Sequence, residues 1–180
     1  MSQLISRTGR VQAWMDDPSG RLPVSCTVMN VANELEGLNG IVASWKFCST
    51  ALRLGAGVAI HLSQLDPRDH KRKSGVIASG VVSFGRIYST LNETLRRGGR
   101  WKNGAVVLHL DANHADLQDF IEAPREHLPW AKRCVNITQE WWDALDTEMK
   151  AKLLLGIRRG DIWLVKVKHD KEENRIFANV

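Results

Sequence analysis

Residues 97–121 have the sequence RGGRWKNGAVVLHLDANHADLQDFI. Gly98 and Gly99 permit backbone angles that a side chain would forbid, so a basic turn is predicted at the start of this stretch. The apolar run at 106–110 is typical of a strand covered on both faces. Asn113 is then predicted to cap a helix that has an acidic residue in its first turn. The stretch therefore predicts a turn suited to phosphate, a buried strand and a helix.

The alternation of strands and helices continues on both sides of this unit. Apolar spacing predicts strands at 22–32, 57–62 and 134–137, and helices at 38–55, 79–97 and from Thr138 to about residue 153. The tail contains a further apolar run at 162–167. This order indicates an α/β architecture with mainly parallel strands. Residues 1–21 have little periodicity and are expected to form an irregular N-terminal segment. The α/β domain is therefore expected to comprise residues 22–180.

Composition limits the classes of function. A chain of 180 residues that is 43% hydrophobic can build one sizeable core. Its net charge of +5 favours anionic partners, namely nucleotides, nucleic acid or an acidic protein. Three cysteines without close pairing argue against a secreted disulfide framework and for a reducing compartment. No apolar run approaches the roughly 20 residues that span a bilayer, so the protein is expected to be cytoplasmic, without a membrane partner.

Two binding motifs are considered and set aside. Residues 55–60 (GAGVAI) resemble half of a dinucleotide fingerprint, but they follow a helix, enter a strand and lack the third glycine. A tight helix-to-strand turn is the simpler explanation. The side chains that could form a metal site are His109, His114, Glu122 and Cys134. None of these forms a metal-binding pair at close spacing, so no metal is expected.

Two other features leave alternatives open. Cys26 follows Ser25 within a predicted strand, where a thiol is most often a small buried hydrophobe. It would be reactive only where its surroundings stabilise the thiolate. The basic loops at 68–73 and 96–102 could bind phosphate groups, although solvated loops are the commoner outcome for such runs.

Six short motifs together resemble those of the catalytic subunit of ribonucleotide reductases, and they occur in that family's order. They are Ser25-Cys26, residues 55–60, residues 79–84 (SGVVSF), Gly98-Gly99 with Gly104-Ala105, residues 111–121 and Val135-Asn136-Ile137. The last two residues, Asn179-Val180, are similar to the start of the family's Asn-x-Cys-x-Glu active-site motif. Six motifs at compatible spacings over residues 25–137 make the resemblance specific.

The resemblance implies a ten-stranded α/β barrel, of which this chain supplies the first half. In this family a thiyl radical removes hydrogen from the ribose 3′ carbon, and a cysteine pair then reduces the 2′ position and becomes a disulfide. Cys26 falls on the first cysteine of that pair, and Ser25 on a neighbour that contacts the substrate. Asn179 falls on an asparagine that forms hydrogen bonds near the substrate hydroxyls. We therefore expect Cys26 and Asn179 to be catalytic and Ser25 to bind substrate.

The resemblance also implies regulation by a nucleotide effector. Asn33 falls where many relatives have an aspartate that touches the effector, and the loop at 66–73 falls on the first specificity loop. The residues expected to bind effector are Asn33, Arg68, Lys71, Arg125 and Arg133. The radical is expected from adenosylcobalamin or from a partner subunit. An external thiol reductant of thioredoxin or glutaredoxin type and a homodimeric complete protein are also expected.

The chain departs from the family in its cysteines. The radical cysteine of the motif would be the residue after Val180, and neither Cys48 nor Cys134 occupies the position of the second reducing cysteine. The chain alone is therefore expected to be inactive and to need the C-terminal remainder of the catalytic subunit. A splicing element, a split gene or a truncation would each produce such a chain. The alternative function is a stand-alone basic α/β module that binds nucleotides or nucleic acid.

Overall fold

The computed structural model describes residues 8–20, 22–98 and 104–167. It therefore covers neither the predicted turn beyond Gly98 nor Asn179. The strands are β1 (Cys26–Asn30), β2 (Gly57–His61), β3 (Val106–Asp111), β4 (Ala131–Ile137) and β5 (Ile162–Lys166). The helices are α1 (Gly9–Asp16), α2 (Ile41–Arg53), α3 (Val81–Gly98), α4 (Leu117–Glu122), α5 (Gln139–Ala144) and α6 (Thr147–Arg158), with a 3₁₀ turn at Arg125–His127.

The five strands form one sheet in the order β1-β2-β3-β4-β5, and every neighbouring pair is parallel. Crossovers between parallel strands are right-handed, so strands in chain order place their connecting helices on the same side of the sheet. The core lies between that side and the helices. Its fully buried strand residues include Ile60 in β2, Leu108 and Leu110 in β3, and Val135 in β4. The predicted α/β class with parallel strands is confirmed.

Strand β4 begins three residues earlier than predicted, at Ala131 rather than Cys134. The charged pair Lys132-Arg133 interrupts the apolar pattern, so the sequence does not predict a strand at these residues. Arg133 is nevertheless only 4% exposed. Its Nη1 donates to the carbonyl oxygens of Phe120 and Ile121, at 2.7 and 2.9 Å, near the end of α4. A cation in that position pairs with unsatisfied helix carbonyls, which allows an arginine inside the core.

The single helix predicted from Thr138 is instead two helices, α5 and α6. Thr138 caps α5 as expected, because its side chain accepts a hydrogen bond from Trp141 N at 3.1 Å. The chain then becomes extended at Leu145. Asp146 caps α6 by accepting from Met149 N at 2.7 Å. An aspartate that satisfies the first free N–H groups starts a new helix where the apolar spacing alone appears continuous.

The prediction of an irregular N-terminal segment is wrong for the part that forms α1. Thr8 accepts a hydrogen bond from Val11 N and so caps this helix. Arg10 then attaches the helix to the domain, since its guanidinium donates to three backbone carbonyls. These belong to Leu22, Val24 and Gly55, at 3.4, 3.2 and 2.9 Å.

The helix cap predicted at Asn113 lies at Asp116 instead. The Asp116 carboxylate does not bind its own helix. It accepts from Arg68 N at 2.9 Å and from Val81 N at 3.0 Å, and so fixes the loop after β2 and the start of α3. Gly80 has φ +80°, and a Cβ there would lie 2.8 Å from Asp116 Oδ2. The close approach of backbone to carboxylate therefore requires glycine at this position.

Replacing Asp116 with alanine should lower the free energy of unfolding by about 1–3 kcal/mol, because two backbone N–H groups lose their acceptor. Urea denaturation followed by tryptophan fluorescence measures this change. Asp119→Ala is the matched control, since Asp119 forms only an exposed ion pair with Arg68, at 3.2 Å. Such pairs contribute less than about 1 kcal/mol. Equal losses in the two variants would contradict the role given to Asp116.

Candidate active site

The face of the sheet opposite the helices carries a row of polar side chains near the carboxyl ends of the strands. Strand register places Asn30 beside His61, His61 beside His109, and Asp111 beside Asn136. In parallel strands, residues in register point to the same face of the sheet. Four neighbouring strands therefore bring five polar side chains together.

Hydrogen bonds connect these five side chains into one network. His61 Nε2 lies 2.9 Å from Asp111 Oδ1, and its Nδ1 lies 3.0 Å from Asn30 Oδ1. Asn136 Nδ2 donates to Asp111 Oδ1 at 3.0 Å, and its Oδ1 faces His109 Nδ1, also at 3.0 Å. The Asp111 carboxylate thus binds both His61 and Asn136, and Asn136 connects it to His109.

Asp111 is the charged centre of the network. It is 4% exposed, and its partner His61 is 2% exposed. Burial of a carboxylate is costly unless donors surround it. His61 and Asn136 supply donors to its Oδ1, while the backbone N–H of Asp111 donates to Ser63 Oγ at 2.8 Å. The oxygen of Ser63 is also 3.0 Å from His61 Nε2, so Ser63 contacts both His61 and the backbone of Asp111.

Burial favours the neutral form of His109. It lowers the pKa of this side chain, and the neighbouring His61 adds to the effect, while the hydrogen bond that His109 donates to Asn136 and the charge of Asp111 oppose it. Because the Asn136 amide nitrogen donates to Asp111, its oxygen accepts from His109 Nδ1–H. Neutral His109 therefore carries its proton on Nδ1 and its lone pair on Nε2.

Cys26 lies on the same open face, at the amino end of β1. All three cysteines fall within the described residues, and Cys26 is the exposed one. Burial raises the pKa of Cys48 and of Cys134 to about 12. The two buried thiols therefore carry almost no thiolate at neutral pH, and Cys26 is the thiol available for chemistry.

Neither other cysteine can form a disulfide with Cys26 in this fold. Cys134 shares its sheet face but lies on β4, with β2 and β3 between them. At about 4.8 Å per strand, the three strand spacings alone separate the Cα atoms by at least about 14 Å, whereas disulfides need about 4.4–6.8 Å. Cys48 lies in α2, within the core on the opposite side of the sheet. A thiol partner of Cys26 must come from outside the described residues.

The residues predicted to bind effector fall into separate groups. Asn33 Oδ1 accepts from Asp66 N at 3.2 Å and from the Arg72 guanidinium, which also pairs with the Asp66 carboxylate. Asn33 and the loop at 66–73 are thus in contact, through Arg72. The sequence analysis missed Arg72, because a run of cations does not indicate which member turns inward.

Of the other predicted effector residues, Arg68 and Lys71 belong to the loop at 66–73, whereas Arg125 and Arg133 lie elsewhere. Arg68 turns towards Asp119, and Lys71 is exposed. Arg125 and Arg133 line a cavity between α4 and α6. Ser25 is exposed beside Cys26, and its carbonyl accepts from Gly57 N at 2.8 Å. Within the described ranges, no cluster of three His, Cys, Asp or Glu side chains could hold a metal ion, and no helix there is long and apolar enough to cross a membrane.

Residues 24–153 match the family model described as "Ribonucleotide reductase, barrel domain". The chain belongs to the ribonucleotide reductase family. A vitamin B12-dependent ribonucleoside-diphosphate reductase of Mycobacterium tuberculosis is 31% identical over 141 residues, which cover 69% of this chain and 20% of that protein. The corresponding reductase of Thermoplasma acidophilum is 26% identical over 151 residues, which cover 77% of this chain and 19% of that protein.

The fold agrees with this assignment to the ribonucleotide reductases. The alpha subunit of a class Id ribonucleotide reductase of Actinobacillus ureae matches 89% of this chain and 30% of its own length, with a TM-score of 0.69 at 18% identity. The predicted partial barrel is confirmed, with five parallel strands in the described residues. The chain spans about a fifth of the length of the curated relatives named above. Family membership favours the reductase interpretation over the stand-alone binding module.

Thiol labelling should distinguish Cys26 from the other cysteines. We expect iodoacetamide to label Cys26 within minutes in the native chain, because it is exposed while the two buried thiols remain protonated. Peptide mass spectrometry identifies the labelled site, and labelling in urea should reach all three. Comparable native labelling of Cys134 would contradict the burial of that thiol.

Stability should fall at low pH partly because of His109. Its folded pKa is lowered below the unfolded value of about 6.5. The stabilisation from neutral His109 is therefore fully present above that value and is lost as the pH falls through the folded pKa. His109→Gln should reduce the drop in melting temperature between pH 7 and pH 5. The exposed His70 provides the control, His70→Gln, which should leave the drop unchanged.

Proposed function

We propose that this chain forms part of the catalytic barrel of a ribonucleotide reductase and that Cys26 is one of its two reducing thiols. The observation that carries the proposal is the exposure of Cys26 on the open face of a sheet within the matched region. A thiol that must meet a substrate and then a partner thiol has to be accessible to both. Ser25, exposed beside it, is proposed to contact the substrate.

The reaction requires a second thiol. Reduction of the 2′ carbon takes two electrons and two protons from a pair of thiols, releases the 2′ hydroxyl as water and leaves a disulfide. Cys48 and Cys134 are both unsuited to this role. We therefore propose that the partner of Cys26 and the radical-forming thiol lie in the remainder of the catalytic subunit. A thioredoxin- or glutaredoxin-like protein would restore the dithiol by exchange.

The polar network is proposed to form the floor of the substrate cavity. Its members are fixed by mutual hydrogen bonds on the face that carries Cys26, so they need little reorganisation when a polar ligand binds. Asn179, outside the described residues, is proposed to approach the substrate hydroxyls. Ribonucleoside diphosphates are the proposed substrates, following the name of the Mycobacterium tuberculosis relative.

Adenosylcobalamin is the proposed radical source, because the named relatives are vitamin B12-dependent. The described residues do not fit the cofactor itself. The cavity between α4 and α6, about 360 Å³, is too small for a corrin ring and lies on the side of the sheet away from Cys26. Cobalamin would therefore be held by other parts of the protein.

Regulation and assembly complete the proposal. Asn33 and the loop at 66–73, which Arg72 joins, are proposed to bind a nucleotide effector together with Arg68 and Lys71. The complete catalytic subunit is proposed to act as a cytoplasmic homodimer. The 180-residue chain alone is expected to produce no deoxyribonucleotide, since Cys26 lacks its partner thiol.

The test is Cys26→Ser in the complete catalytic subunit, assayed for deoxyribonucleotide formation by liquid chromatography. We expect multiple turnover with a thiol reductant to be lost and the melting temperature to be unchanged, because the side chain is exposed. Cys48→Ala is the control. Cys48 is fully buried, so this variant should lose stability yet retain turnover at a permissive temperature. Undiminished turnover of Cys26→Ser would refute the redox role.

A further inference from the structure

A cavity of about 360 Å³ lies between α4, the start of β4 and the end of α6. This volume is within the range of about 300–1,000 Å³ seen for small-molecule sites. Four basic side chains and two carboxylates are among the residues that line it, namely Arg125, Arg133, Lys152, Arg159, Glu122 and Asp161. It lies on the helix-covered side of the sheet, whereas Cys26 and the polar network lie on the open side.

Arg133 gives this cavity a rigid donor. The residue is 96% buried, and two backbone carbonyls near the end of α4 accept hydrogen bonds from its Nη1. The described part of the chain offers no hydrogen-bond partner to its Nε or Nη2. A guanidinium anchored at one nitrogen presents the rest of its planar fork in a fixed orientation, which suits two oxygens of one anion.

The side chains that line the cavity have a net positive charge that their own carboxylates do not neutralise. Lys152 is neutralised by ion pairs of 2.9 and 2.8 Å with Glu122 and Glu148. Neither Arg125 nor Arg159 forms an ion pair with a described carboxylate. Asp161 is the remaining acid, so three arginines face one carboxylate across the cavity.

The pKa of Arg133 reflects the same surroundings. Burial lowers it, Asp161 raises it, and the positive charge of Arg125 lowers it again. Arg125 and Arg133 are therefore close enough to repel each other. A multiply charged anion between them would relieve that repulsion and replace the water lost on burial.

We propose that this cavity binds a polyphosphate group, the anion of a nucleoside triphosphate or of free polyphosphate. Arg133 would hold the phosphate oxygens through its fork, and Arg125 and Arg159 would close around them from the rim. The site is separate from the Asn33 loop and from the open face of the sheet. The inference therefore stands whether or not the chain takes part in ribonucleotide reduction.

Isothermal titration calorimetry of the 180-residue chain with tripolyphosphate, at low ionic strength, tests the site. Arg159→Glu and Arg125→Glu should each weaken binding by about tenfold or more, because each removes a charged donor and adds a repelling charge. Arg158→Glu is the matched control. Arg158 is exposed on the same turn of α6 and does not line the cavity, so it should change affinity less than about twofold.

Competition between ATP and tripolyphosphate identifies the source of the anion. Equal affinity would assign the site to phosphates alone, and tighter binding of ATP would add contacts with the nucleoside; either result supports the proposal. Arg133→Lys keeps the charge but not the fork and should weaken binding severalfold, with circular dichroism used to verify folding. The absence of tripolyphosphate binding, or equal losses in Arg158→Glu and Arg159→Glu, would overturn the proposal.

Discussion

The order of the strands is the constraint on which the rest of this structure depends. Neighbouring parallel strands must be joined by crossovers of one hand, and strands in chain order place every crossover on the same side of the sheet. One face is therefore packed beneath helices, and the other remains open. Each strand then alternates between two environments, which explains why Ile60 is buried in the core while its neighbour His61 joins a polar network.

The open face is ordered by a single carboxylate. A buried charge without partners would destabilise the domain, so the side chains around Asp111 have to donate to it. That requirement fixes the His61 ring and the Asn136 amide, and through Asn136 it fixes the tautomer of His109. One charge in the middle of the sheet thus determines the orientation of polar groups on both neighbouring strands.

The sequence predicts the elements of this fold better than the contacts between them. Periodicity was sufficient for α3, because a long amphipathic pattern specifies a helix, and short apolar runs next to glycines indicated the strands around Ile60 and Leu108. The polar network was not predicted, since it depends on register across four strands, which local spacing does not determine. For that reason, the sequence places His109 in a predicted strand but does not show its partners. Arg133 could not be placed either, because its burial depends on carbonyls of a helix that precedes it in the chain.

Exposure of Cys26 has a structural cause in the neighbouring strand. Register places it beside Gly57, on the same open face. A Cβ at Gly57 would meet only ordinary contacts, 3.6 and 3.7 Å from two carbonyl oxygens, so neither backbone geometry nor packing demands glycine there. Any larger side chain would instead stand beside the thiol and cover one flank of it. The glycine thus keeps open the approach to the Cys26 thiol, as the proposed role of Cys26 requires.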